Sequence, residues 1–552
     1  MKQHPFYRIW QLIIQDKQDI AAIYFYAMLS GMVQLSVPVG IQAIIGLVLG
    51  ASMITSLYVL IFMVVIGVLL VGIFQINQMK VIEKIQQQLF ARYAFAFAEK
   101  IPRLDLVKTD QYYLPEKMNR FFDTVNVQKG LSKILLDVPT ASIQILFGLI
   151  LLSLYHPVFI VFGLLLLSIL WVIMKVTGKN GLVTSLQESE HKYKVVAWFE
   201  EMARIIKAFK LSPKNGLNLG NTDKNVANYV QARTAHFKVL LFQFKSLVAF
   251  KVIIVSTMLI VGTYLLLEQQ LNIGEFIATE IVILTVINSV EKLISSLESV
   301  YDILTGLEKL ASVIESPEEK ECSIECTPFS QGMNIECKNL SFTFPDGNKV
   351  LQQVNFDIPA NAKVCLSGET GSGKSTLIKI LSGNYGQFEG TLLVNSLPIH
   401  NYELNSLRQH MGIYRNQHDL FYGTLLENIT MGRSDITVDQ VIQIAKETGL
   451  HKIFNELKEG FQTLLDPAGR KLPEMIGKKI LLLRALVHQP KLLLLEEPWY
   501  GLDEVTTASL KNYLFNTNLA ATLIIISNEP DVQSMCNIHI QLQNGSAKVQ
   551  IN

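Results

Sequence analysis

The first half of the chain carries its apolar residues in long runs, and the second half carries them in short ones. A helix that crosses a bilayer needs about 20 mostly apolar residues. Six stretches meet that length: 20–49, 53–78, 131–155, 157–177, 238–268 and 272–296. Between them lie two long segments, 79–130 and 178–237, whose apolar residues recur at helical spacing, as in IEKIQQQLFARYAFAFAEKI. These read as continuations of the membrane helices. Each turns back near a break, Pro102 to Pro115 in one and Leu211 to Asn221 in the other. Hairpins of that shape can press their tips on a neighbouring domain. Ahead of the first run, Phe6, Ile9, Trp10, Ile13 and Ile14 share one face of a short amphipathic helix suited to a membrane surface.

Charge orients the spans. The two long segments are rich in Lys and Arg, while GASMI (50–54), YHP (155–157) and LEQQLNI (267–273) have none. By the positive-inside rule the long segments and both termini face the cytoplasm. The composition agrees: 50% of the residues are hydrophobic and 17% charged, against about 25% charged in soluble proteins. A net charge of +1 gives no basic footprint for nucleic acid. All five cysteines lie beyond residue 320, and Cys322 and Cys326 form no zinc pattern. Glu280, Lys245 and Lys251 lie in or near spans, where an ionisable group is a functional hypothesis by default.

After a polar segment with two prolines, 313–332, short β-branched strands alternate with helices, the pattern of a parallel α/β domain. There VCLSGETGSGKST (364–376) places Gly368, Gly373, Lys374 and Ser375 between an expected strand and an expected helix. Such a loop wraps phosphates in backbone N–H groups at a helix N-terminus. In this setting Lys374 reaches the outer phosphates and the Ser375 hydroxyl holds magnesium. KLLLLEEP (491–498) is a buried strand ending in two acids at the carboxyl edge of the sheet. Glu496 is the expected magnesium partner. Glu497 is the expected general base for an attacking water.

These motifs resemble the ATP-binding cassette family, and six spans ahead of the cassette resemble its exporter branch. The resemblance covers essentially the whole chain and implies ATP and Mg2+ as cofactors. It places nucleotide contacts on Gly368, Glu369, Thr370, Gly371, Ser372, Gly373, Lys374, Ser375 and Thr376. Phe344 falls where the family stacks an aromatic ring on adenine. Asn416 falls at the glutamine that completes the magnesium site, with Gln417 beside it, and Asn528 at the switch histidine. Asp503 falls at the aspartate of the D-loop, within GLD (501–503). The family's LSGGQ signature is replaced by Leu472, Pro473, Glu474, Met475 and Ile476. Pro473 removes an N–H. Met475 adds bulk. Glu474, if it points inward, repels a triphosphate by roughly 4 kcal/mol at about 4 Å and an effective dielectric near 20. Glu497 and Asn528 are the expected catalytic residues, and Ser375, Asn416 and Glu496 the expected metal set. Nucleotide binding is expected to survive, and hydrolysis through this signature to be slow.

The expected fold is an all-α six-helix transmembrane domain followed by an α/β P-loop nucleotide-binding domain. Its parts are an elbow helix at 1–19, a membrane domain at 20–312, a linker at 313–332 and the cassette at 333–552. The resemblance implies a half-transporter in the bacterial inner membrane, paired with a second copy or with a different half-transporter. It leans toward peptide or protein export with a periplasmic adaptor and an outer-membrane channel. A catalytically silent regulator or scaffold and a nucleotide-gated channel remain the alternatives.

Overall fold

The computed structural model describes residues 5–50, 54–109, 113–212, 216–320, 324–326, 329–415, 419–469, 472–517 and 519–551. Its contacts divide it into two units: Met1–Pro102 with Tyr113–Ser316, and Arg103–Tyr112 with Pro317–Asn552.

The first unit is helical. Its long elements are α1 (Pro5–Gln15), α2 (Lys17–Gln34), α3 (Ser36–Leu49) and α4 (Ile54–Lys100). The short α5 (Leu106–Thr109) follows but belongs to the second unit; α6 (Leu114–Met118), α7 (Asp123–Tyr155), α8 (Val158–Arg204), α9 (Ile206–Leu211), α10 (Leu217–Leu267) and α11 (Ile273–Ile314) complete the first. Among the described residues, five helical stretches have the length and hydropathy to cross a membrane: Lys17–Leu49, Thr55–Arg103, Leu114–Tyr155, Leu217–Leu267 and Ile273–Ile314. The remaining expected span lies at the start of α8, where Val158–Ile169 forms a shorter apolar helix.

The run expected to be one span at 20–49 is two helices broken at Leu35. Pro38 is the physical cause: it has no N–H for the Gln34 carbonyl four residues back. The continuations expected from periodicity are present. α4 has 47 residues, about 70 Å of helix at 1.5 Å per residue, against a hydrocarbon core of about 30 Å. α1 is amphipathic; Trp10 and Ile14 of its expected apolar face are exposed, and Leu12, outside that set, is buried. Its Arg8 pairs with Glu308 on α11 and with Glu315 just past the end of that helix (2.9 Å).

α7 and α11 pack closely because small residues let them. A Cβ on Gly148 would stand 2.6 Å from Val286, and one on Gly130 2.8 Å from Ile303. α11 starts with a capping box in which Asn272 and Glu275 satisfy each other's backbone N–H groups. Of the ionisable residues singled out in this unit, Lys251 is paired with Glu291. One carboxylate oxygen of Glu280 is buried without a protein partner among the described residues.

The second unit contains two main sheets. The smaller has the order β2 (Lys349–Ile358), β1 (Ile335–Thr343), β4 (Glu389–Val394), β5 (Leu397–Pro398). The larger runs β12 (Ser546–Ile551), β11 (Ile538–Gln543), β3 (Lys363–Gly368), β10 (Thr522–Ile526), β9 (Leu492–Glu496), β6 (Met411–Tyr414). Five of its strands, β11 to β6, pair in parallel and β12 closes one edge antiparallel. Parallel strands are covered on both faces, so they read as continuous apolar runs. Leu492 to Leu495 are all buried accordingly.

Between the strands lie α12 (Lys374–Leu381), α13 (Leu404–Arg408), α14 (Leu425–Thr430), α15 (Val438–Glu447), α16 (Ile453–Glu456), α17 (Glu474–Leu486), α18 (Glu504–Asn516) and α19 (Pro530–Met535). A two-stranded ribbon, β7 (Gly423–Thr424) with β8 (Leu464–Leu465), completes the unit. One apolar core joins α14, α15, α17 and α18 to the sheet, and a second lies between α12 and the two sheets.

Residues 103–109, from the first turn-back segment, are built into this unit. Leu104 bridges Glu318, the Asp105 N–H donates to the Pro317 carbonyl (3.0 Å), and Val107 is part of the second core. The Gln387 amide donates to the Asp105 carboxylate at 2.9 Å.

Candidate functional site

The carboxyl ends of β3, β9, β10 and β6 point to one edge of the larger sheet. In-register pairing brings Ile526 opposite both Glu496 and Leu366. The loops that leave these ends therefore meet. From β3 the chain passes into the loop 368–373, where Gly368, Gly371 and Gly373 have φ of 143°, 84° and 102°. A Cβ on Gly368 would stand 2.3 Å from the Leu542 carbonyl oxygen, and one on Gly373 2.7 Å from Leu351. Only glycine satisfies both the conformation and the space.

The loop encloses the Lys374 ammonium, which donates to the carbonyls of Gly368 and Glu369 at 2.7 Å each. Burial pushes its pKa down, while Glu497 and Glu496 oppose that shift. The Ser372 hydroxyl is buried with no protein partner among the described residues. A buried hydroxyl, a glycine cradle and a cation that donates to two loop carbonyls together fit an anion at the start of α12. Glu369, Thr370 and Gly371 are exposed on the rim, and Ser375 and Thr376 open α12 just below it.

Ser375 Oγ donates to Glu496 Oε1 at 2.6 Å, so two of the three expected metal residues are already joined. The third, Asn416, and its neighbour Gln417 lie outside the described residues. Oxygen donors of this kind suit a hard cation such as magnesium. Glu497 is exposed and sits at φ 46° with its N–H bonded to the Ile526 carbonyl (3.0 Å). A non-glycine residue held there stores roughly 1–2 kcal/mol of strain. Asn528 Oδ1 accepts the Gly368 N–H at 3.2 Å. With its oxygen so committed, the amide nitrogen is the donor end. Phe344 is half-buried, edge-on to Phe342 (5.0 Å) and Tyr385 (6.0 Å).

Glu474 is the first residue of α17 and its side chain is 64% exposed. Its Oε1 lies 2.9 Å from Lys478 Nζ. That ammonium is nearly buried and stands 4.9 Å over the Tyr500 ring. Lys479, equally buried, approaches Asp503 at 3.8 Å. Asp503 caps α18 through the Thr506 N–H, and that bond holds its carboxyl below the usual range. Ile476 is not on the loop surface at all but belongs to the first core. Sequence reasoning passed over Lys478, Lys479 and Tyr500. The Glu474–Lys478 spacing of four residues on a helix was the available signal.

A P-loop, a strand ending in two acids and a helical membrane region define a membrane-embedded member of the P-loop nucleotide-binding class. Comparison gives the family. The description "ABC transporter" matches residues 351–500, and "ABC transporter transmembrane region" matches 20–290. The chain belongs to the ATP-binding cassette transporter family and has the half-transporter architecture of its exporters. Its cassette is of the ATP-binding type, and it is an integral membrane protein.

It is 28% identical over 346 residues to the alpha-hemolysin translocation ATP-binding protein HlyB of Escherichia coli O157:H7, covering 62% of this chain and 48% of that protein. It is 27% identical over 329 residues to the leukotoxin export ATP-binding protein LtxB of Aggregatibacter actinomycetemcomitans, covering 58% and 45%. The chain thus spans about half the length of these curated relatives. A bacterial Atm1-family ABC exporter solved with ATP bound shares the fold, at 16% identity, TM-score 0.85, and 97% and 95% coverage of the two chains.

Proposed function

We propose that this chain is the ATP-binding half of a membrane exporter, working as a dimer and turning ATP over slowly. The observation that carries this reading is the joined P-loop site: Lys374 inside a glycine cradle, with Ser375 bonded to Glu496 beside it. ATP would supply binding energy for closure of two cassettes. Gly368 to Thr376 would hold its phosphates, Lys374 would neutralise the outer ones, and Phe344 would stack on the base. Ser375 and Glu496, with Asn416, would hold magnesium. Glu497 would orient and deprotonate a water, and the Asn528 amide would donate to the terminal phosphate.

Slow turnover follows from chemistry. Asn528 carries no positive charge, and Pro473 and Met475 stand where a signature loop offers N–H groups and room. Losing one positioned donor costs about 10²–10³ in rate. The domain limits 1–19, 20–312, 313–332 and 333–552 belong to the same proposal, as do inner-membrane location and cytoplasmic termini.

Two relatives are named for toxin export, so a polypeptide is the proposed cargo, with an adaptor and an outer-membrane channel as proposed partners. The silent-regulator alternative draws on the departures at Glu474 and Asn528. Phosphate release from the purified chain in lipid, with Glu497→Gln as the blank, separates the two. Turnover above the blank supports an exporter ATPase. Turnover equal to the blank with ATP still bound supports a regulator. Absence of ATP binding overturns both.

A further inference from the structure

Three features around α17 belong together. Lys478 has a nearly buried ammonium, 6% exposed, close to the loop that opens the helix. One of its partners, Glu474, lies outside on the first turn and is 64% exposed. The Tyr500 ring forms another wall at 4.9 Å. Gly501, at φ 82°, lies against the pair: a Cβ there would stand at an ordinary contact distance, 3.5 Å, from Lys478 Nζ and from Met475 Sδ. Lys479 is directed elsewhere, toward Asp503 and Glu456.

The Glu474 end of the pair is open to solvent while the Lys478 end is nearly buried, so the carboxylate can leave for solvent only as another anion takes its place on the ammonium. The ammonium is already desolvated, and charge interactions strengthen as the surroundings dry. The ring supports a cation whichever anion faces it.

We propose that Lys478 is a ligand for the terminal phosphate of a nucleotide held in the P-loop of a second copy of this chain, and that Glu474 occupies Lys478 until that phosphate arrives. This rests on the dimeric, nucleotide-binding reading above. In this chain a side-chain cation does the work for which an LSGGQ loop uses a hydroxyl and backbone N–H groups. The acid beside it then acts as a gate that swings into solvent and no longer meets the triphosphate unneutralised.

The test uses the full chain in lipid nanodiscs, in the Glu497→Gln background, with radiolabelled ATP and ADP as probes. Glu474→Gln removes the gate and should tighten ATP about tenfold while leaving ADP unchanged, since ADP lacks the terminal phosphate. Lys478→Met should weaken ATP about tenfold, again without effect on ADP, the size expected for one charge-assisted hydrogen bond. The double variant should lose the gain of Glu474→Gln.

Glu474 is exposed, so Glu474→Gln keeps the fold and tests the idea even if Lys478→Met does not fold. Equal ATP affinity in Glu474→Gln and parent overturns the proposal, as do equal shifts for ATP and ADP. Lys374→Ala reports on the underlying reading. If it abolishes both nucleotides while the loop variants change nothing, the P-loop site stands and only the Lys478 role is lost. A parent that binds no ATP removes both.

Discussion

Lys374 donates to two carbonyls of its own loop, which leaves its full charge for a ligand. Lys374→Ala should therefore lower ATP affinity at least tenfold by equilibrium binding, while Glu497→Gln, acting on water, should leave it nearly unchanged. Parent-like affinity in Lys374→Ala would remove the nucleotide site from this loop. Ile476 shows how a residue's position in sequence can mislead. By resemblance it falls at the last position of the signature loop, yet it is 6% exposed within an apolar core. Ile476→Gln should destabilise the protein by about 1–3 kcal/mol through an unpaired buried amide, read as a lower midpoint in denaturant. Restoration of the loop should therefore stop at Pro473→Ser, Glu474→Gly and Met475→Gly. Combined with Asn528→His, these should raise phosphate release by more than the product of the separate effects, because groups acting as a unit are non-additive. A combined variant at the level of the Glu497→Gln blank would shift attention to Glu496.

Among elements, the strand–loop–helix of β3 and α12 was legible because each level of the sequence agrees: buried strand, glycines at turn positions, then a helix former run. Gly373→Ala tests its geometry. With φ at 102° and Leu351 2.7 Å from the added methyl group, it should cost about 1–3 kcal/mol and weaken ATP binding. An unchanged denaturation midpoint would show that the turn relaxes. α18 depends on Asp503, whose carboxylate accepts the Thr506 N–H and hydroxyl. Its pKa is depressed in the fold, so this contribution is present above the unfolded carboxyl value near 4 and is lost as pH falls through the lower folded value. Asp503→Ala should cost about 1 kcal/mol at neutral pH and less at pH 2–3. Equal loss at both would assign the effect to something other than the cap. The split of the first apolar run at Leu35 was less legible, since Pro38 can kink a membrane helix or divide it.

At the scale of the whole molecule, loop charge and span length set a topology that thiol chemistry can check. In an otherwise cysteine-free chain, Gln270→Cys in the loop before α11 should react with an impermeant thiol reagent from outside intact cells. Lys108→Cys, on α5 in the second unit, should react only after lysis. Labelling of Lys108→Cys in intact cells would reverse the orientation. The same two-unit organisation explains why 103–109 escapes a reading along the chain. It lies between membrane helices in sequence, yet Val107 is buried with residues more than two hundred positions later, such as Phe342.

Local sequence by itself determined the helical spans and their continuations, the change to an α/β pattern and the phosphate-binding loop. Each of these rests on spacing, on glycine's freedom at positive φ or on the length of an apolar run, and none needs a distant partner. Only the tertiary structure decided that Glu474 faces Lys478, that the Lys478 ammonium is sheltered by Tyr500, that the Asn528 oxygen is taken by Gly368, and that Ile476 is core. Except for the Glu474–Lys478 pair, these facts depend on segments far apart along the chain, brought together where parallel strands end side by side. Even that pair needed its surroundings: spacing allowed the contact, but the burial of Lys478 against the 500–501 loop made it matter.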